Sequence, residues 1–113
     1  MIMSHITELI KFYVDEKCSK QLPSNEEGNP LLEGKVVTAG QEEVREIWVK
    51  NHDTREFLVD EIPSDDKDMS VHITEDTLYY GKPVKIIVTF TPKEDRKDKL
   101  NAYFRIRGRF ISR

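Results

Sequence analysis

The side chains with the most chemical potential stand near the end of the sequence. Tyr103, Arg105, Arg107 and Arg109 recur at every second position. On an extended strand that spacing puts them on one face, about 7 Å apart. Guanidinium groups at that interval can track phosphates or meet a row of carboxylates, and Tyr103 adds a ring on which a base could stack. The same row can also be a solvated strand face. The acidic balance of the chain, and the lack of RNP or cold-shock patterns, favour a protein's acidic surface over nucleic acid. Such closely spaced arginines repel one another unless carboxylates answer them, from a neighbouring strand or from a partner.

Other reactive residue types are scattered. A nucleophilic triad needs a Ser or Cys, a His and an orienting acid brought together. Cys18 sits in a loop with no helix start or basic cradle beside it, and there is no G-x-S-x-G. His52 lies between Asn51 and Asp53 in a turn, where it is expected to decorate the surface. His5, His52 and His72 have no short pairing and no HExxH, and one cysteine cannot build a structural zinc site. Asp65-Asp66-Lys67-Asp68 offers carboxylates without the spacing or distal Glu of an EF-hand loop. A solvated turn is expected there, with a calcium site as the lesser alternative. No Gly-rich loop precedes a helix to cradle phosphate. The sequence therefore points to no enzyme, no metal and no cofactor.

The bulk properties agree with a binding protein. At 113 residues the chain is expected to be one domain, 1–113, able to bury a core without a staple. It is 37% hydrophobic and 35% charged, with a net charge of −3. Residues 42–76 hold twelve acidic and four basic residues, while residues 93–113 hold eight basic and three acidic ones. Such asymmetry can orient a partner or a second copy. Cys18 is the sole cysteine, which rules out an internal disulfide. No leader pattern opens the sequence and no run approaches a membrane span. The expectation is a soluble protein without membrane contact, cytoplasmic, or virion-borne if phage-encoded.

The segment that would carry this surface reads as β. Tyr80–Pro92, YGKPVKIIVTFTP, sets Val84, Ile86, Val88 and Phe90 on one face of a strand, with turn residues at both ends. Leu100–Ile111 alternates over its whole length, with Phe104 and Ile106 inward, Gly108 as a bulge or close-approach point, and the arginines outward. The charged run Lys93–Lys99 would join these two strands into a hairpin. Earlier strands are expected at Lys35–Thr38, Val44–Lys50, Glu56–Ile62 (pairing back on its predecessor) and Met69–Ile73, with Leu78 as a core plug. Residues 4–14 carry both a helical and an alternating pattern, with Ser4 a possible N-cap, and strand is favoured. Residues 15–34 read as a long loop, a length that often brings contacts. Trp48 faces outward as an interface anchor if Ile47 and Val49 face inward; with the register reversed it is core. Together these make an all-β antiparallel sandwich of about seven strands.

The run VREIWVKN, then YYGKPVKIIVTFTP, then LNAYFRIRG resembles immunoglobulin-like sandwiches of the major sperm protein and ASH type. The matching framework positions are Asn51 closing a strand, Gly81 and Pro83 at the turn, and Val88, Phe90 and Pro92 at the strand exit. The resemblance spans roughly residues 35–110 and implies a non-enzymatic module that assembles with, or binds, other proteins. The early strand and long loop are also similar in organisation to small Ig-like accessory proteins of bacteriophage particles. That likeness implies a structural protein, a capsid- or tail-associated virion component, with other subunits as partners in a large assembly or homo-oligomer. The alternative is a stand-alone adaptor that binds an acidic peptide through its Arg-rich last strand.

Overall fold

The computed structural model describes residues 5–111 as antiparallel sheets packed around one core, a β-sandwich. A single helical turn, α1 (His5–Leu9), leads directly into β1 (Ile10–Tyr13). The strands that follow are β2 (Leu31–Glu33), β3 (Glu43–Asn51), β4 (Glu56–Glu61), β5 (Met69–Ile73), β6 (Thr77–Leu78), β7 (Val84–Phe90), β8 (Asn101–Tyr103) and β9 (Arg107–Ile111). They form a four-stranded sheet in the order β1-β3-β7-β5, a three-stranded sheet β6-β4-β9, and a pair β2-β8.

Alternation decides which faces meet. In β7 every second residue, Val84, Ile86, Val88 and Phe90, is buried, and Ile47 and Val49 of β3 lie beside them. Phe57 and Leu78 come from the three-stranded sheet, and Leu32, Ala102 and Phe104 come from the region of the β2–β8 pair. Phe104 meets Phe12 edge-to-face at 5.1 Å between ring centres. Apolar side chains buried this fully each contribute roughly 1.5–3 kcal/mol. The expected shared core of Val84, Ile86, Val88, Phe90, Phe104 and Ile106 is present.

The connections differ from the sequence reading. Residues 4–14 use both of their patterns in succession, helix at 5–9 and strand at 10–13; Ser4 lies outside the described residues. Lys35–Thr38 is not a strand. The amides of Lys35 and Val36 donate instead to the Glu43 carboxylate, at 2.5 and 3.1 Å, which removes them from any ladder. The ordered strand in that region is β2, at the end of the supposed loop. Strand β4 does not pair back on β3. It crosses to the other sheet and lies between β6 and β9.

The hairpin expected between Tyr80–Pro92 and the last strand is also absent. Both edges of β7 are taken, by β3 and β5. The intervening run is pulled aside: Arg96 reaches Asp66 at 2.9 Å and Asp68 at 3.1 Å. Leu100–Ile111 is two strands that serve different sheets. The backbone of Tyr103–Arg105 bonds to Pro30, Pro63 and Asp65, and the chain then turns to join β4. At Gly108 the strands come so close that a Cβ would strike the Leu58 carbonyl and stand 2.8 Å from the Phe57 ring. The bulge itself lies opposite, between Val59 and Glu61.

Asn51 locks the two main sheets together. It closes β3, is fully buried, and donates its amide to the Arg55 carbonyl at 2.8 Å and the Leu78 carbonyl at 3.0 Å. Its side-chain oxygen accepts from the Asp53 amide at 2.8 Å.

Candidate protein-binding surface

The parity that buries Ile47 and Val49 sends Val44, Glu46, Trp48 and Lys50 to the other side of β3. This is the outward face of the four-stranded sheet. Trp48 is half-buried there, in register with Tyr13 of β1 on one side and Lys85 of β7 on the other. The outward alternative for Trp48 therefore holds. Ile87 lies one row along, half-buried, and Val44 is 54% exposed.

The charges on this face are unevenly answered. Lys85 meets Glu46 across the strands at 3.4 Å. Lys11 stands directly opposite Lys50, and neither forms an ion pair among the described residues. Like charges in that position are destabilising. Beyond them, the Tyr13 hydroxyl and the His52 Nε2 share a hydrogen bond of 2.8 Å; His52 is exposed just past β3, as expected, yet held to the sheet. Burial lowers the pKa of His52, and Lys50 and Lys11 lower it further. Burial raises the pKa of Tyr13, with a further push from Cys18.

Cys18 closes one end of this cluster. It holds a left-handed backbone, φ 56°, in a turn whose other end, Asp15, accepts bonds from the Ser19 hydroxyl and from the Ser19 and Lys20 amides. Burial pushes the thiol up and Lys50 pulls it down, with the net shift upward. A thiol held protonated is a poor nucleophile.

The cationic row read from the sequence is not carried by one strand, although Arg105, Arg107 and Arg109 are all exposed. Tyr103 lies in β8, half-buried, and its amide donates to the Asp65 carboxylate at 3.0 Å. Arg105 falls in the break between strands and lines a groove of about 780 Å³ with α1 and the 24–30 loop. Arg107 and Arg109 lie on β9, where Glu61 binds Arg107 at 2.7 Å. Leu58 lies opposite Arg109, and no ion pair reaches Arg105 or Arg109 among the described residues. The regular alternation hides a change of sheet, from β2 as partner to β4.

The acidic run is a turn with Asp65 and Lys67 exposed, as expected, but Asp66 and Asp68 are not solvated. Asp68 is buried, its side chain only 3% exposed, and shares Arg96 with Asp66. Burial works against the Asp66 charge, yet Arg96 and the Asp68 amide hold its carboxyl below the usual range. The acidic middle and basic end of the chain thus neutralise each other at Asp66, Asp68 and Glu61. Among the described residues no group of three His, Cys, Asp or Glu is placed to hold a metal ion, and no helix is long and apolar enough to cross a membrane.

Lys11, Lys50 and Tyr13 were absent from the sequence-based candidates, and His52 was set aside among them as a surface residue. The signal was present in the alternation of IKFYV and VREIWVKN, but placing Lys11 opposite Lys50 requires the register of β1 on β3. Comparison with protein-family models, with curated proteins and with solved structures finds no match to this chain.

Proposed function

We propose that this chain is a non-catalytic assembly module, an immunoglobulin-like sandwich of the major sperm protein type, that docks on the acidic surface of other protein subunits. The contact is the outward face of the four-stranded sheet. The observation that carries this reading is the unanswered Lys11–Lys50 pair beside Trp48. Carboxylates from a partner would relieve the repulsion, and a half-buried indole next to them supplies an anchor of the type that dominates interfaces. The reading extends to a component of a bacteriophage particle, on the likeness of its early strand and long loop to small accessory proteins of such particles. A non-catalytic role is supported by the groups nearest the face: the Cys18 thiol is held protonated and His52 is engaged by Tyr13.

Size-exclusion chromatography tests this. The wild-type chain should co-elute in many copies with one large complex, and Trp48→Ala combined with Lys11→Gln and Lys50→Gln should elute free while still folded. Co-elution of the triple variant at both low and high salt would refute the reading, because exposed charge attraction is screened within roughly 8–10 Å. The second reading is an adaptor for a free acidic peptide. Arg105 and Arg109, which have no carboxylate among the described residues, favour it; Arg107 is already bound to Glu61.

A further inference from the structure

Strand β5 ends the four-stranded sheet, and its outer edge is open. The phase of its hydrogen bonds follows from its two flanks. Thr74 donates to the Lys85 carbonyl at 3.1 Å, and Thr91 donates to the Asp68 carbonyl at 2.9 Å. With the register Ser70 to Thr89 and His72 to Ile87, the even-numbered residues bond to β7. In an antiparallel ladder the alternate residues then direct their N–H and C=O groups to the other side. Those residues are Val71 and Ile73, and no backbone or side-chain bond reaches them from that side among the described residues. By contrast, the outer edge of β1 is covered, since Leu22 donates to the Phe12 carbonyl and Tyr13 bridges Gln21.

Exposed edges are usually guarded by lysine, proline, a bulge or an inward charge. The sequence of β5, MSVHI, contains none of these. Beside the edge, the mouth of the sandwich opens as a cleft of about 350 Å³. The side chains of Val71 and Ile73 on one wall, and Val59 and Ile62 on the other, pack on the core yet are only half-buried. Asp60 at its rim is exposed and forms no ion pair among the described residues.

We infer that this edge takes an extended segment of a partner protein as an added strand. Its backbone pairs with Val71 and Ile73, its alternate apolar side chains enter the cleft against Val59 and Ile62, and a flanking basic residue meets Asp60. Main-chain bonds hold such a segment, and the alternate side chains select it. The inference rests on the β5 edge alone and is independent of the Trp48 face.

The test uses the whole chain and a synthetic peptide of sequence KVSVSVR, with amide hydrogen exchange as the readout. At a peptide concentration about ten times its Kd, exchange at the Val71 and Ile73 amides should slow about tenfold by mass action. Val71→Pro removes one outward N–H and leaves the β7 bonds intact, a change that edge strands tolerate. It should abolish binding, as should N-methylation of the peptide on its pairing edge alone. Trp48→Ala should leave binding unchanged, which separates this inference from the proposed function. Equal binding by a block-scrambled peptide, or protection elsewhere than β5, would overturn the inference. Protection of Val71 and Ile73 in a peptide-free dimer would also overturn it, by showing that a second copy fills the edge.

Discussion

Replacing Asn51 by alanine should cost far more than its small size suggests. The side chain makes three hydrogen bonds, and their surroundings decide the cost. Leu78 is fully buried, so its carbonyl would lose its side-chain donor away from water. An unsatisfied buried acceptor costs about 1–3 kcal/mol. The Arg55 carbonyl and Asp53 amide sit in a turn that water can reach, so each lost bond there costs about 0.5–1.5 kcal/mol. The sum is about 2–6 kcal/mol. For a domain of this size that is a fall in Tm of about 8–24 °C, at roughly 4 °C per kcal/mol. Thermal and urea unfolding measure it directly.

The near-isosteric Asn51→Asp separates hydrogen bonding from packing. It keeps the acceptor for the Asp53 amide but turns an oxygen toward two carbonyls. Burial and that arrangement raise the carboxyl pKa in the folded state above its unfolded value near 4. The folded state then binds the extra proton, so this variant should gain stability as pH falls from neutral toward 4. A loss below about 1 kcal/mol in Asn51→Ala, or an Asn51→Asp variant as stable as wild type at pH 7, would refute the idea that this amide joins the sheets.

Three further outcomes follow from the same geometry. Arg96→Met should cost about 2–3 kcal/mol, the loss from a buried ion pair discounted for the 28% exposure of the arginine. Because the Asp66 pKa is depressed in the folded state, that stabilisation is present above the unfolded value and lost as pH falls through the folded one, so the gap between variant and wild type should narrow below about pH 4 in acid unfolding. Gly108→Ala should destabilise by about 1–3 kcal/mol and expose β9 amides to hydrogen exchange first, since the added methyl meets the Leu58 carbonyl. Phe104→Ala should cost about 3–5 kcal/mol in denaturant unfolding, and a value under about 1 would contradict its place against Phe12.

The sequence made inward and outward faces legible because alternation is local: six residues read as one core from two segments are one core. Pairing was not legible, because it depends on groups distant in the chain. Val84–Phe90 and Leu100–Ile111 have matching apolar faces and a short connection, the usual marks of a hairpin. The hairpin is excluded because β3 and β5 occupy both edges of β7, and neither pairing is local in the chain. Part of the charge asymmetry is likewise answered by non-local pairs, Arg96 with Asp66 and Asp68 and Arg107 with Glu61.

The candidate surface was missed for the related reason that a cross-strand pair is a property of register. Trp48 was readable only as outward or core according to the register, and burial of Ile47 and Val49 decides for outward. That Lys11 faces Lys50 depends on β1 lying against β3 with Phe12 opposite Val49. Slipping that pairing by one residue would place Ile10 and Phe12 on the solvent face, so burial of those two residues fixes the lysines opposite each other. The core thus compels a charge juxtaposition that costs the free chain stability. Within a chain carrying more acids than bases, a carboxylate beside either lysine would have removed that cost, and Glu46, the acid on the outward face of β3, is committed to Lys85. Among the described residues the repulsion is therefore left unanswered, which is what the proposed docking on an acidic surface would relieve.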